Sequence, residues 1–454
     1  MSDAERRAAT PGMLEKEEYV PPDGGYGWVC TACVFLINGH TWGVNAVYGV
    51  FLAHYLAKNT YPGATPLQFA FIGGLSISQA LFISPLATAT VAAQGTRTAL
   101  FIGIFFETLS LIGASFSTKI WHLFLSQGVC FGWGLGFLFV GSVGITSQWF
   151  SSRRSLANGI AAGGSGIFGL VYALAAGAMI PSLGLPWTYR VLGMVTFAVN
   201  SVCSLLIRDA NAKIKPSKLA FDWRLFNRFE FILMLGYGFF SMLGYSVLLF
   251  SLPNYANRIG LTAKQASVVG AVMNLGQGLG RVPIGYWSDS FGRINVAGLM
   301  TFLSGLFVLT IWINAKTYAV LLVYAVIGGS VAGTFWATAG PVTAEVVGLR
   351  ELNAALSIVW VVLAVPTTFS EPIGLEIVER TGSYLGAQLF SGIMYLLAAM
   401  CLWFLKAWKV GELERTAART GMRAEDMNAV DTGFVELEEI SDLPRIFLVP
   451  RIQV

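Results

Sequence analysis

Asn274, Gln277 and Arg281 stand at i, i+3 and i+7 within the otherwise apolar run from Gly270 to Arg293. That spacing puts all three on one face of a helix. Arg281 lies near the middle of the run. An arginine at the centre of a bilayer costs roughly 2.5–3.5 kcal/mol on insertion scales, so it faces a cavity or a partner. Its planar fork of donors matches a carboxylate. Two readings stand side by side: a buried arginine satisfied by helix carbonyls, or the anchor of an anionic solute. Asn38 and Asn45 form a second polar stripe in the first apolar run, and Tyr237, Ser241 and Tyr245 form a third in the seventh. Trp336 and Trp360 add aromatic surface in the tenth and eleventh runs. Together these residues describe a cavity with aromatic walls and amide hydrogen-bonders, suited to a sizeable flat solute. Glu371, Glu107 and His40 are ionisable groups inside apolar runs and are therefore candidates to carry a proton. Glu371 lies between Pro366 and Pro372, which loosen the helix and free carbonyls.

The elements that must position these groups follow from composition. The chain has 454 residues, of which 55% are hydrophobic and 12% charged, with a mean hydropathy of +0.64. A soluble domain carries about 25% charged residues, so the chain reads as an integral membrane protein. The 51 glycines suit close helix packing in a bilayer. A net charge of +4 gives no reason to expect a nucleic-acid partner. Cys30 and Cys33 have the spacing of a redox or metal pair, but no histidine or acidic ligand accompanies them, and they read as small apolar residues of a helix. Neither a metal nor a cofactor is expected. The polar leader of mixed charge and the long first apolar run speak against a cleavable signal peptide.

Twelve apolar segments follow one another, the first at 28–53, the tenth and eleventh at 318–341 and 352–379, and the last at 384–405. Each is near the roughly 20 residues that a bilayer-spanning helix requires. The expected fold class is an all-α membrane protein. Residues 1–27 are read as a disordered cytoplasmic tail and 28–207 as a six-helix bundle. A cytoplasmic linker at 208–228 joins it to a second bundle at 229–405, and 406–454 form a cytoplasmic tail. With the N-terminus inside, inside segments hold twenty-one Lys and Arg and outside segments six. That asymmetry puts both termini in the cytoplasm. Gln79 and Pro85 recur as Gln277 and Pro283 at an offset of 198, which with the six-plus-six layout suggests internal duplication.

Several strings carry a family resemblance. The segment PPDGGYGWV, Pro21 to Val29, places Asp23 where it can cap the first helix and puts Gly24, Gly25 and Gly27 where backbones can approach. Trp28 suits the membrane interface. This string resembles the signature of the monocarboxylate transporter family of the major facilitator superfamily. Trp149 to Ser165 (WFSSRRSLANGIAAGGS) is similar to that family's loop between spans four and five, GRVPIG at 280–285 to its span-eight motif, and GSY at 382–384 to the start of its span twelve. The tyrosine and double proline of the first string are most like the fungal branch. Asp289 and Arg293 in GYWSDSFGR resemble the superfamily's cytoplasmic-loop motif, whose charge contacts stabilise one state of a rocking transporter. The matching stretch of the first half, 85–97, has no acidic residue, which points to asymmetric gating. Arg153 and Arg154 are read either as positive-inside residues or as gate contacts.

The resemblance implies two pseudo-symmetric six-helix bundles and alternating access around a midplane site, with Arg281 binding the solute carboxylate. It also marks two departures. Proton-linked members of the family carry an aspartate where this chain has Gln277, and a lysine where it has Ala46. The expected activity is secondary transport of a small organic acid or a related amphipathic, aromatic solute. Protons are the implied coupling ion, the bilayer is the surroundings, and a plasma-membrane monomer is the expected state. The alternative is a non-transporting nutrient sensor on the same fold. No enzymatic motif of the serine, zinc or paired-aspartate kind is present.

Overall fold

A computed structural model describes residues 19–420, apart from 59 and 215–218. The expected tail at 1–18 and the part of the C-terminal tail beyond Thr420 lie outside these residues. Twelve long helical segments are present. α1 comprises Gly27–Ala46 and Tyr48–Lys58, and α2 comprises Pro66–Phe82 and Ser84–Gln94. α3 is Thr96–Ala114, α4 Ile120–Trp149, α5 Arg154–Leu183 and α6 Leu185–Leu206. α7 is Phe229–Arg258, α8 Ala263–Phe291 and α9 Arg293–Trp312. α10 runs from Tyr318 to residue 347, α11 spans 349–381, and α12 is Leu385–Thr420.

α10 and α11 run past their expected ends and meet at a single non-helical residue, Gly348, with φ 78°. A positive φ suits glycine because a Cβ would clash there. α12 continues past the expected boundary at 405 to Thr420, and Lys409 on that extension reaches the Glu345 carboxylate of α10. α2 breaks at Ile83, just before Pro85, whose ring and missing N–H interrupt the hydrogen-bond ladder. α4 contains a π-helical turn, Phe124–Cys130, that apolar periodicity did not signal.

The helices form two bundles of six, α1–α6 and α7–α12. Their likeness is visible in the turns. α2 and α8 each open with a Thr-x-x-Gln capping box, Thr65 with Gln68 and Thr262 with Gln265. Positive-φ glycines close the α2–α3 and α8–α9 turns at Gly95 and Gly292, and the α5–α6 and α11–α12 turns at Gly184 and Gly382. These pairs repeat at offsets of 197 or 198, in step with the recurrence of Gln79 and Pro85. The bundles meet chiefly along α5 and α8, where small residues allow backbone contact. A Cβ on Gly166 would lie 2.6 Å from the Gly278 Cα, and one on Gly159 would lie 2.4 Å from the Arg281 carbonyl oxygen.

Candidate functional site

The polar faces of α1 and α8 converge on a cavity of about 140 Å³ between the bundles. α8 contributes Asn274, Gln277 and Arg281, and α1 contributes Asn38 and Asn45, with Trp42 one turn from each. Aromatic side chains share the lining with the polar groups. Trp42 of α1 and Trp336 of α10 approach to 5.3 Å between ring centroids, and Phe139 of α4 lies 5.5 Å from Trp42. Ser165 of α5 and Tyr245 of α7 complete the polar side.

Arg281 is 5% exposed. Its Nη1 donates to the Ala162 carbonyl at 2.7 Å and to the Ser165 hydroxyl at 2.6 Å, both in the other bundle. Nη2 reaches the Gln277 Oε1 at 3.5 Å, and Tyr245 donates to that same oxygen at 2.7 Å. Gly333 makes room for the guanidinium, since a Cβ there would sit 3.1 Å from Nε. Nε and the Gln277 Nε2 have no hydrogen-bond partner. Among the described residues no acidic side chain pairs with Arg281. The carbonyl-satisfied arginine and the solute anchor are therefore combined in one side chain, which is partly satisfied by α5 and still lacks a counter-ion. Asn38 donates to the Ala161 carbonyl at 3.0 Å, and Asn45 accepts from Ser76 at 2.9 Å.

Two expected lining residues stand back from the cavity. Tyr237 is fully buried between α7 and α10, with its hydroxyl 2.9 Å from that of Thr338. Trp360 lies behind Trp336, near-parallel at 6.0 Å and 10°, and touches Phe139 from the rear. Both positions share the apolar period of their helices, but neighbouring helices cover them. Trp42 could have been found by the helix count that found Asn38 and Asn45. Phe139 and Ser165 lie in helices that are nearly uniform in apolar or small residues, and no pattern marks them.

The ionisable candidates separate. Glu371 does not line the cavity and does not pair with Arg281. It lies half-buried on α11 between exposed apolar residues, Phe369 and Ile373. Glu107 is 1% exposed inside the first bundle and accepts from Asn200 of α6 at 2.8 Å. His40 is turned from the cavity toward Phe168 and Tyr172 of α5, with Nδ1 2.8 Å from the Leu36 carbonyl.

The signature residues sit at the linker end of the bundles. Asp23 does not cap α1, whose first turn has no side-chain cap. Asp23 instead adopts φ 54° and turns to the α4–α5 loop. Its carboxylate accepts the Ser151 N–H and hydroxyl at 2.7 Å each and the Ser152 N–H at 2.9 Å, while its own N–H donates to the Trp149 carbonyl. Partial burial opposes ionisation of this carboxyl, but the bonds from Ser151 and Ser152 outweigh it and hold the group below its ordinary range. Gly27 and Trp28 pack on the same loop, Gly27 against Trp149 and Phe150, and Trp28 4.8 Å from the Phe150 ring. Gly24 and Gly25 have no atom within 4 Å of a notional Cβ, and Gly25 supplies a positive φ in the turn. The two motifs thus form one structural unit.

That unit faces the second bundle. Asp289 accepts the Ser155 and Leu156 N–H groups at 2.9 and 2.8 Å, taking the place of a cap on α5. Arg293 lies 3.6 Å from Asp289 and 4.0 Å from Glu345, and donates to the Ser151 carbonyl. Arg154 bonds back to the Phe150 carbonyl, whereas Arg153 is exposed. Asn158 donates to the Ala337 carbonyl and Ser84 to that of Ser357. Every hydrogen bond between the bundles lies between Arg281 and the linker end, among the described residues. The cavity lining extends the other way, to Phe250 and Thr367. These bonds close the linker end, and among the described residues no hydrogen bond joins the bundles beyond Arg281.

Comparison with known proteins agrees with this architecture. A family profile described as Major Facilitator Superfamily matches residues 28–237 and 234–448. A probable transporter of Saccharomyces cerevisiae, MCH2, is 32% identical over 401 residues, which are 87% of this chain and 85% of the relative. The uncharacterised transporter ESBP6 of the same yeast is 31% identical over 88% of this chain and 61% of its own length. A solved Escherichia coli fucose:proton symporter superposes with a TM-score of 0.62 over 84% of this chain and 98% of its own, at 15% identity, which speaks for the fold alone.

Proposed function

Because the chain belongs to the Major Facilitator Superfamily, we propose that it is a secondary transporter for an amphipathic monocarboxylate with a flat, one-ring body. The observation that carries this reading is Arg281, a buried cation on the cavity wall with no acidic partner among the described residues. An unpaired buried charge is expensive, and a carboxylate is the species that completes it. The Gln277 amide one turn away supplies a further donor, and Asn274, Asn38 and Asn45 supply neutral polar groups. A neutral sugar would leave the guanidinium without a counter-ion. Trp42, Trp336 and Phe139 offer ring faces to an apolar body. The size of the cavity, about 140 Å³, supports a single ring, since an engineered cavity of about 150 Å³ admits benzene.

The excess of Lys and Arg supports placing the linker end in the cytoplasm, and the closed face is then the inner one. On that reading the closed linker end supports an outward-facing state of an alternating-access cycle. The yeast relatives are named as transporters and lend the sensor alternative no support. The test is uptake of radiolabelled phenylacetate and lactate by proteoliposomes. Arg281→Ala is expected to abolish uptake while its yield in the membrane stays at the wild-type level. Undiminished uptake by that variant would overturn the site assignment.

A further inference from the structure

The first bundle encloses a polar pair that the solute cavity does not use. Glu107 of α3 is 1% exposed, and the Asn200 Nδ2 donates to its Oε2 at 2.8 Å. The Glu107 Oε1 and the Asn200 Oδ1 are both buried, and neither has a partner. An ionised carboxylate has no proton to offer Asn200, and both of these oxygens would then stay without a donor in an apolar interior. A neutral carboxylic acid resolves this, because its O–H donates to Oδ1 while Nδ2 donates to Oε2, closing a two-bond acid–amide ring. Among the described residues no cation pairs with Glu107. From α4 the facing residue is Gly134, whose Cβ would lie 2.5 Å from the Glu107 nitrogen. From α6 it is Asn200.

Two further buried titratable groups of the first bundle, Tyr172 of α5 and His40 of α1, lie against each other. The Tyr172 hydroxyl is buried without a partner, and the Tyr172 ring lies 5.6 Å from that of His40 on α1. With the His40 Nδ1–H donating to Leu36, its Nε2 is an acceptor, able to exchange a proton with Tyr172 or with water.

We propose that Glu107 and Asn200 form the proton-binding site of the transporter, set apart from the solute cavity. The proposal rests on the transport reading. In the step, the Glu107 O–H bond breaks and the proton leaves to water. The carboxylate left behind is the short-lived form, and reprotonation from the opposite side restores the pair.

Infrared spectroscopy of the purified protein tests the pair without a solute. A deuterium-sensitive stretch of a hydrogen-bonded carboxylic acid is expected. It should vanish in Glu107→Gln, which preserves both bonds of the ring and the thermal unfolding midpoint. In Asn200→Ala, which leaves the acid but removes its partner, the band should move to the position of a free acid. A band unchanged in Glu107→Gln overturns the proposal. In proteoliposomes, phenylacetate is expected to drive proton influx in the wild type, and Glu107→Gln to lose that influx. Undiminished influx in the variant also overturns the proposal. If the wild type transports no monocarboxylate, the solute reading fails, and the infrared result decides the pair by itself.

Discussion

Asp23 shows how one side chain joins two sequence motifs. Its carboxylate accepts three bonds from Ser151 and Ser152, and hydrogen bonds to a charged group contribute more than neutral ones. Asp23→Asn keeps the shape but loses the charge and one acceptor, so the unfolding midpoint should drop by a few degrees at neutral pH. The sign with pH follows from the lowered value in the folded state. The stabilisation is complete above the ordinary carboxylate value, about 3.9, and is lost as pH falls through the lower folded value. The gap in midpoint between the wild type and Asp23→Asn should therefore close in acid below about pH 4. A gap that stays constant across that range would show that the charge plays no part. At the same scale Arg281 has two tasks, because the donors that suit a solute also hold Ala162 and Ser165 across the interface.

The seam of α5 and α8 brings the backbones of the two bundles into close contact. Gly159, Gly163 and Gly166 recur at i, i+4 and i+7 and face the Arg281 carbonyl, the Gly278 carbonyl and the Gly278 backbone in turn. Gly285 answers from α8, where a Cβ would lie 2.4 Å from the Ser155 carbonyl oxygen. Overpacking of this kind costs typically about 1–3 kcal/mol, and here the cost falls on the closed state alone. Gly159→Ala should therefore shift the population toward a linker-open state. A Ser155→Cys reporter, at a position buried in the seam, should react faster with a thiol reagent in the Gly159→Ala background. Equal rates would mean that the seam is not the closing surface.

At the scale of the whole molecule, charge and backbone bonds hold the two bundles together at the linker end. Asp289 is the central group, capping α5 in trans and meeting Arg293, which also reaches Glu345 and the Ser151 carbonyl. Glu345 in turn meets Lys409 on the long α12, so the closing network extends to the C-terminal helix. Asp289→Asn retains one acceptor and loses the ion pair. A loss of about 1–2 kcal/mol from the closed state alone shifts its equilibrium about five- to thirtyfold. Spin labels on the α4–α5 and α8–α9 loops should report longer separations in Asp289→Asn than in the wild type. An unchanged distance distribution would remove this network from the gate. The stretch at 85–97 of the first bundle has no acidic side chain to match Asp289.

Hydropathy and helical period are local properties, and they determined the membrane class, the twelve spans, the six-plus-six order and the polar faces of α1 and α8. The recurrence of Gln79 and Pro85 already carried the offset that the capping boxes and turn glycines repeat. Only the tertiary structure decided which of those faces meet. A helix fixes which of its residues share a side, but its rotation against other helices is set by contacts hundreds of residues away. That rotation turned Tyr237 and Trp360 into supports, left Glu371 outside the cavity, and sent Asp23 to the α4–α5 loop instead of its own helix. It also placed Glu107 against Asn200, a pair 93 residues apart that no motif announces.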